Sequence, residues 1–166
     1  SKKAIIWKEY LQFSVFRGNF DRNNWSKKWH KNSKRSLFVE PSKINPIEID
    51  IGSIPSDDYF CFKKDLCKGR LKGGRENGLK RMEYFFSNKL NSYSKDISSP
   101  EKSFDSCSRL SPYISWGCIS LKEIFNQANL NHNNSSKMLK SRLTWHCHFI
   151  QKLESEPELE FKEFHP

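Results

Sequence analysis

Apolar residues along this chain recur mostly at three- and four-residue intervals, the period of an amphipathic helix. Ile5, Ile6, Tyr10, Phe13 and Phe16 follow it and predict a helix over 4–17, with Gly18 as its stop. Asp21 is a candidate N-cap for a second helix over 21–31. There Trp25 and Trp29 share one face, and Lys27, Lys28 and Lys31 lie off it. After Gly73-Gly74, the stripe Leu79, Met82, Phe86, Leu90 and Tyr93 predicts a helix from Arg75 to about residue 94. Ser98-Ser99-Pro100 breaks the pattern, and residues 104–119 read as an ordered loop with one short helical turn after Pro112. Ser120 with Glu123 three residues on is a capping box that opens a helix to about 130. Residues 131–136 read as a polar surface loop. Leu139, Leu143, Phe149, Ile150 and Leu153 predict a last helix over 136–154, and Pro157 falls beyond it.

Residues 33–74 lack the helical period. Pro41, Pro46 and Pro55 punctuate them. The alternation Ile47, Ile49, Ile51 predicts at most a short strand, bounded by Pro46 and Gly52. Irregular segments this long are uncommon inside compact domains, so the stretch reads as a linker lying on another surface. The expected fold class is all-α, with a long irregular N-terminal linker. The expected domains are 1–72, a linker region with two N-terminal helices, and 73–166, a helical unit.

Composition narrows the partners. Thirteen Phe, five Tyr and five Trp supply large core pieces to a chain that is otherwise only 36% apolar. The net charge of +10 fits either a polyanionic partner or a solubilising surface. Five cysteines, an odd number with no CxxC pair, argue against a disulfide framework or structural zinc. Reduced thiols fit a cytoplasmic protein. Neither a membrane-length apolar run nor a signal-like N-terminus is present. The chain opens on Ser1-Lys2-Lys3 without an initiator Met, which reads as an internal piece of a longer protein.

Two stretches carry chemistry. Ser106–Ser120 gathers hydroxyls and backbone N–H groups around Arg109, which suits a phosphate cradle, although a plain serine-rich loop has the same composition. Trp145 is either a stacking platform for a base or a packed core indole. His146 and His148 do not form a metal pair, because i and i+2 on a helix point to different faces. Cys107 and Cys118 bracket the cradle with no activating base evident, so neither reads as a catalytic thiol.

The run Ser108-Arg109-Leu110-Ser111-Pro112-Tyr113, followed by Gly117 and Ile119-Ser120, resembles the S-R-L-S-P-Y-x-x-x-G-x-I-S stretch of the photolyase/cryptochrome flavoproteins. Gly73-Gly74 with Leu79, Phe85 and Phe86 resembles that family's entry helix, with Gly78 where Ala is usual. Tyr93 with Ser99-Pro100 resembles its Y-x-x-x-R-(N/D)-x-P segment, without the arginine. Trp7, Phe13, Trp25 and Trp29 resemble the lead-in to the FAD domain, and residues 138–150 its L-x-W-R-x-F helix.

The resemblance implies a helical fragment of the FAD-binding domain, with residues 73–166 as its N-terminal half. It implies FAD as cofactor, bound weakly or not at all by this piece alone, and an antenna pigment in a domain outside the chain. Tyr93, Cys107, Ser108, Arg109, Leu110 and Ser111 would hold the FAD diphosphate, and His146 would replace a FAD-contacting arginine. Trp145 would face the lesion, with Arg142 where repair enzymes carry a glutamate. The implied partner is DNA containing pyrimidine dimers, and the implied parent a monomeric deoxyribodipyrimidine photo-lyase that splits dimers by photoinduced electron transfer. The alternative is a blue-light photoreceptor of cryptochrome type. Arg142 leans toward that alternative, since a guanidinium cannot accept a hydrogen bond. No residue of this chain is expected to be catalytic.

Overall fold

Helix α1 (Arg22–Ser33) starts where Asp21 accepts a 2.9 Å hydrogen bond from the Asn23 N–H. Asp21 therefore satisfies one of the orphan donors of the first turn. Trp25 and Trp29 are buried on its inner face, while Lys27, Lys28 and Lys31 are exposed. Trp29, fully buried, meets Phe13, His30 and Phe125 edge-on at 5.2–5.6 Å. The structure, a computed structural model, describes residues 6–11, 13–18, 21–63 and 67–163.

The long helix expected after Gly74 is built in three pieces: α2 (Arg75–Tyr84), a π-helical turn over Phe85–Lys89, and α3 (Leu90–Asp96). The reason lies in the core. Phe85, not Phe86, is fully buried, and its ring meets Tyr93 edge-on at 5.4 Å. Phe85 and Leu90 are five residues apart, one too many for an α-turn. The wide turn, closed by the Leu90 N–H on the Phe85 carbonyl, brings both onto the inner face.

The loop expected over 104–119 holds two short helices, α4 (Ser103–Ser106) and α5 (Ser111–Ser115). The capping box opens α6 (Leu121–Asn129) as expected, with Ser120 and Glu123 each accepting from the other's backbone N–H. Glu123 also takes Arg75 in a paired contact at 2.7 and 3.3 Å, tying the start of α2 to α6. The last helix, α7 (Asn134–Ser155), begins two residues early because Asn133 caps it. A 3-10 turn, Pro157–Glu160, follows it.

Two serines of the expected polar loop are buried instead. Ser136 Oγ donates to the Ala128 carbonyl, and Ser135 Oγ bonds Ser94 and Asn91. They join the start of α7 to α6 and α3. Leu139, Leu143, Cys147 and Gln151, at successive four-residue steps, form the buried row of α7.

The helix expected over 4–17 is absent across its described residues, 6–11 and 13–17; residues 4, 5 and 12 lie outside them. Tertiary hydrogen bonds capture this backbone. Gln151 Oε1 accepts from the Phe16 N–H at 2.6 Å, and Gln151 Nε2 donates to the Phe16 carbonyl at 3.0 Å. Trp25 Nε1 donates to the Ser14 carbonyl, and Asn32 reaches Ser14 and the Phe13 carbonyl. Helical periodicity here lost to side chains that offer the non-helical chain its partners.

The chain divides into two compact units, Ser1–Leu37 with Gly73–Pro166, and Phe38–Lys72. In the second, the described residues form turns over 57–61 and 68–69 and otherwise irregular chain, nearly all of it exposed. The strand expected at Ile47, Ile49 and Ile51 does not form: all three are exposed and gain no partner strand among the described residues. Tyr59, Phe60 and Phe62 pack on one another at 5.1 and 5.3 Å. The all-α expectation holds, with helices and no strand among the described residues.

Candidate functional site

The turn Cys107–Ser111 is shaped by a residue the sequence did not single out. Arg81, on α2, donates from Nε to the Ser108 carbonyl at 2.8 Å and from Nη2 to the Cys107 carbonyl at 3.2 Å. A trans peptide points its N–H opposite its C=O. The N–H groups of Ser108 and Arg109 therefore face away from Arg81, side by side, in the manner of an anion nest. Arg109 sits in the left-handed region at φ 54°, which costs a non-glycine residue about 1 kcal/mol. Strain of this kind persists only where the surroundings hold it.

The other members are fixed around that turn. Leu110 is buried and anchors it, its N–H on Ser108 Oγ at 3.4 Å. The Arg109 guanidinium lies over the Phe104 ring, 4.6 Å from its centroid. Ser111 is exposed at the head of α5. Cys107 spends its N–H on the Ser103 carbonyl at 2.9 Å, so that donor closes α4 and does not face a ligand.

Tyr93 stands beside the turn. It is buried, which pushes its hydroxyl pKa up, and the nearby Arg142 charge opposes that rise while Cys107 adds to it. The phenol thus remains a proton donor across the neutral range. Tyr93 on α3 thus lies near enough to Cys107 in the turn and Arg142 on α7 to feel both.

Along α7, Arg142 and His146 follow one another at a four-residue step, with Trp145 on the adjoining row. Trp145 is not a core residue: it is 53% exposed, beside Phe149 with ring centroids 5.8 Å apart. His146 is half-buried, and its Nδ1 is buried without a hydrogen-bond partner among the described residues. Burial lowers its pKa, so the ring is neutral at physiological pH. His148 faces elsewhere, edge-on to Trp25 at 5.4 Å. Among the described residues no three His, Cys, Asp or Glu side chains gather as a metal site, and no helix is long and apolar enough to cross a membrane.

Arg81 escaped the sequence reading because it is one of 29 Lys and Arg residues with no local signal to separate it. Gly78 did carry a signal, as a glycine mid-helix. A Cβ there would meet Ile119 Cγ2 at 3.0 Å and Tyr113 Cδ1 at 3.2 Å, so the glycine lets α2 lie against the segment that follows the turn.

The fold and these groups define an all-α scaffold carrying a strained, donor-rich turn beside a buried tyrosine. Comparison with known proteins adds a distant likeness. The chain is 27% identical over 128 residues to a cryptochrome DASH of Xenopus laevis, covering 69% of this chain and 24% of that protein. It is 23% identical over 154 residues to a deoxyribodipyrimidine photo-lyase of Streptomyces griseus, covering 93% of this chain and 32% of that protein. These two support a distant relationship to the photolyase/cryptochrome family. The chain spans about a third or less of the length of either relative. No family model matches it, and no solved structure does.

Proposed function

We propose that the chain is part of a blue-light flavoprotein of the photolyase/cryptochrome kind, in which this scaffold holds FAD beside DNA carrying a pyrimidine dimer. The observation that carries the reading is the Cys107–Ser111 turn. Arg81 draws two carbonyls to one side, directing the Ser108 and Arg109 N–H groups to the other. Ser111 adds a hydroxyl, Arg109 a charge and Tyr93 a buried phenol, a donor-rich set that fits a diphosphate. The unpartnered Nδ1 of His146 is a second mark of fit, since a buried polar atom left without a partner costs about 1–3 kcal/mol.

When bound, FAD supplies the light absorption and the electron that opens the dimer. The chain's own residues hold and orient. Arg109 and the turn grip the phosphates, and Leu110, buried beneath, keeps the turn in place. His146, neutral, offers its ring to the cofactor. Trp145, half exposed, stacks on an extruded base, a contact worth about 1–3 kcal/mol. Residues 1–72 serve as linker region and 73–166 as the first half of the FAD domain.

One observation favours a second reading, a photoreceptor without repair. Arg142 is exposed on the Tyr93 side of α7, and it cannot accept a hydrogen bond from a lesion base.

The test is blue-light repair of a dimer-containing oligonucleotide by the full natural protein, beside its Trp145→Ala variant and the flavin spectrum of each. The expected result is bound, photoreducible FAD in both and repair at least tenfold slower in the variant, the scale of one lost stacking contact. Bound flavin without repair by the natural protein selects the photoreceptor. Absence of flavin from it overturns both readings.

A further inference from the structure

The isoleucine run of the unit Phe38–Lys72 makes no strand, yet it is composed as one. Ile47, Ile49 and Ile51 alternate with Glu48 and Asp50, between Pro46 and Gly52. The three isoleucines are 81%, 66% and 89% exposed. Gly52 turns the chain at φ 62°, its N–H on Asp50 Oδ1 at 2.9 Å. Among the described residues, no backbone N–H or C=O over 44–51 is hydrogen-bonded.

These are the features of a strand without its sheet. In an extended chain, β-branched residues at every second position make one apolar face, and the two carboxylates fall on the other. The bare backbone calls for hydrogen-bond partners all along its length. A groove between helices does not supply them, whereas the edge of a sheet does.

The charges point to the kind of edge. Over 40–58, Glu40, Glu48, Asp50, Asp57 and Asp58 stand against Lys43 alone, in a chain whose net charge is +10. Exposed sheet edges are commonly guarded by lysine, which keeps them from pairing with one another. Glu48 and Asp50 meet such lysines as opposite charges across the strands. The same two carboxylates set two copies of this stretch against each other, so it is not built to pair with itself. We propose that residues 47–51 dock as an added strand on the lysine-bearing edge of a β-sheet in a partner protein, with Ile47, Ile49 and Ile51 continuing the apolar face of that sheet. The assignment stands independently of the flavin reading.

The test follows amide hydrogen exchange over residues 44–54 by NMR in the full natural protein. Its probe is a synthetic three-stranded sheet peptide whose outer strand alternates valine and lysine. A strand added to an edge sends every second N–H to its new neighbour and the others to solvent. The expected result is exchange slowed about tenfold or more at alternate amides, either 47, 49 and 51 or 48 and 50. Glutamate in place of the peptide's lysines weakens binding about tenfold, and Glu48→Lys with Asp50→Lys reverses that preference. Ile49→Asn weakens binding to the lysine edge about tenfold. These positions are exposed, so far-UV circular dichroism should not change. No slowing at about 1 mM peptide overturns the proposal, as does binding indifferent to the charge exchange. Slowing of consecutive amides, or slowing that survives N-methylation of the outer-strand amides, is not strand pairing and overturns it too. So does slow exchange over 47–51 before any peptide is added, because the protein's own chain would then cover the stretch.

Discussion

Gln151 is the test of how the N-terminal segment is held. It is buried near the end of α7, yet both ends of its amide reach a residue 135 positions earlier in the chain, at 2.6 Å to the Phe16 N–H and 3.0 Å to the Phe16 carbonyl. Gln151→Ala removes both bonds, each worth about 1 kcal/mol net, and leaves two part-buried backbone groups to find water. Adding the lost packing, the expected loss is about 2–3 kcal/mol in urea unfolding followed by far-UV circular dichroism. For a chain of this size that is a fall in Tm of about 5–10 °C. Gln151→Leu keeps the volume but sets methyl groups against both backbone groups, so it costs at least as much. Gln151→Glu discriminates further. Its carboxylate accepts from the Phe16 N–H but repels the Phe16 carbonyl, whereas the protonated acid can donate to it. Folding therefore raises the pKa of the introduced carboxyl. Its contribution is full below the unfolded value of about 4.3 and is lost as pH rises through the folded value. The deficit of Gln151→Glu against the natural chain should shrink between pH ~7 and ~5. A loss under about 0.5 kcal/mol for Gln151→Ala, or a Gln151→Glu deficit that ignores pH, refutes the reasoning.

Other perturbations probe the remaining joints. Gly78→Ala gains about 1 kcal/mol of helix propensity. Its methyl, however, meets buried Ile119 at 3.0 Å and Tyr113 at 3.2 Å, so we expect a net loss of about 1 kcal/mol in the same urea assay; a stabilised variant refutes the close approach. Burial lowers the pKa of both His146 and His148, so the unfolded chain binds protons first as pH drops below about 6.5. Stability should therefore fall on acidification through the window below that value, and His146→Gln should flatten the slope. An unchanged slope in that variant's urea midpoints counts against a buried neutral His146. Burial also raises the Cys147 thiol pKa, whereas Cys61 and Cys67 are exposed. A thiol reagent with mass mapping should label Cys61 and Cys67 in the native chain and Cys147 only after unfolding. Native labelling of Cys147 would contradict its place in the buried row of α7.

Local signals read correctly from sequence were those that need no distant partner. Asp21 before α1 and the Ser120/Glu123 box before α6 act within one turn, so their residue types fix their role. The residues that misled depend on partners far along the chain. The sequence over 4–17 carries a helical period, but Gln151, Trp25 and Asn32 give the backbone of residues 13, 14 and 16 a better set of bonds outside a helix. The stripe through Phe86 was misjudged by one position, because the π-turn that inserts the extra residue answers to the packing of Phe85 on Tyr93. In the candidate site, hydroxyls and Arg109 were visible as letters. The direction of the N–H groups was not, since it depends on Arg81 from another helix.

The rotation of α7 links these points. Its buried row, Leu139, Leu143, Cys147 and Gln151, fixes which way the helix faces. That choice sets Arg142 and His146 on one flank, Trp145 and Phe149 on the next, and His148 toward α1. The row ends at Gln151, whose bonds to Phe16 fasten the N-terminal segment across this end of the helix. Because one rigid helix carries all of these groups, loosening its fastening should disturb both faces together. Gln151→Ala should therefore shift the His148 ring-proton resonances, which its edge-on contact with Trp25 sets, and increase the native-state labelling of Cys147, even where most of the chain remains folded. If Gln151→Ala lowers stability but leaves both readouts as they are in the natural chain, the N-terminal segment is a separate ornament. The orientation of α7 would then rest on α3 and α6 alone, through Ser135 and Ser136.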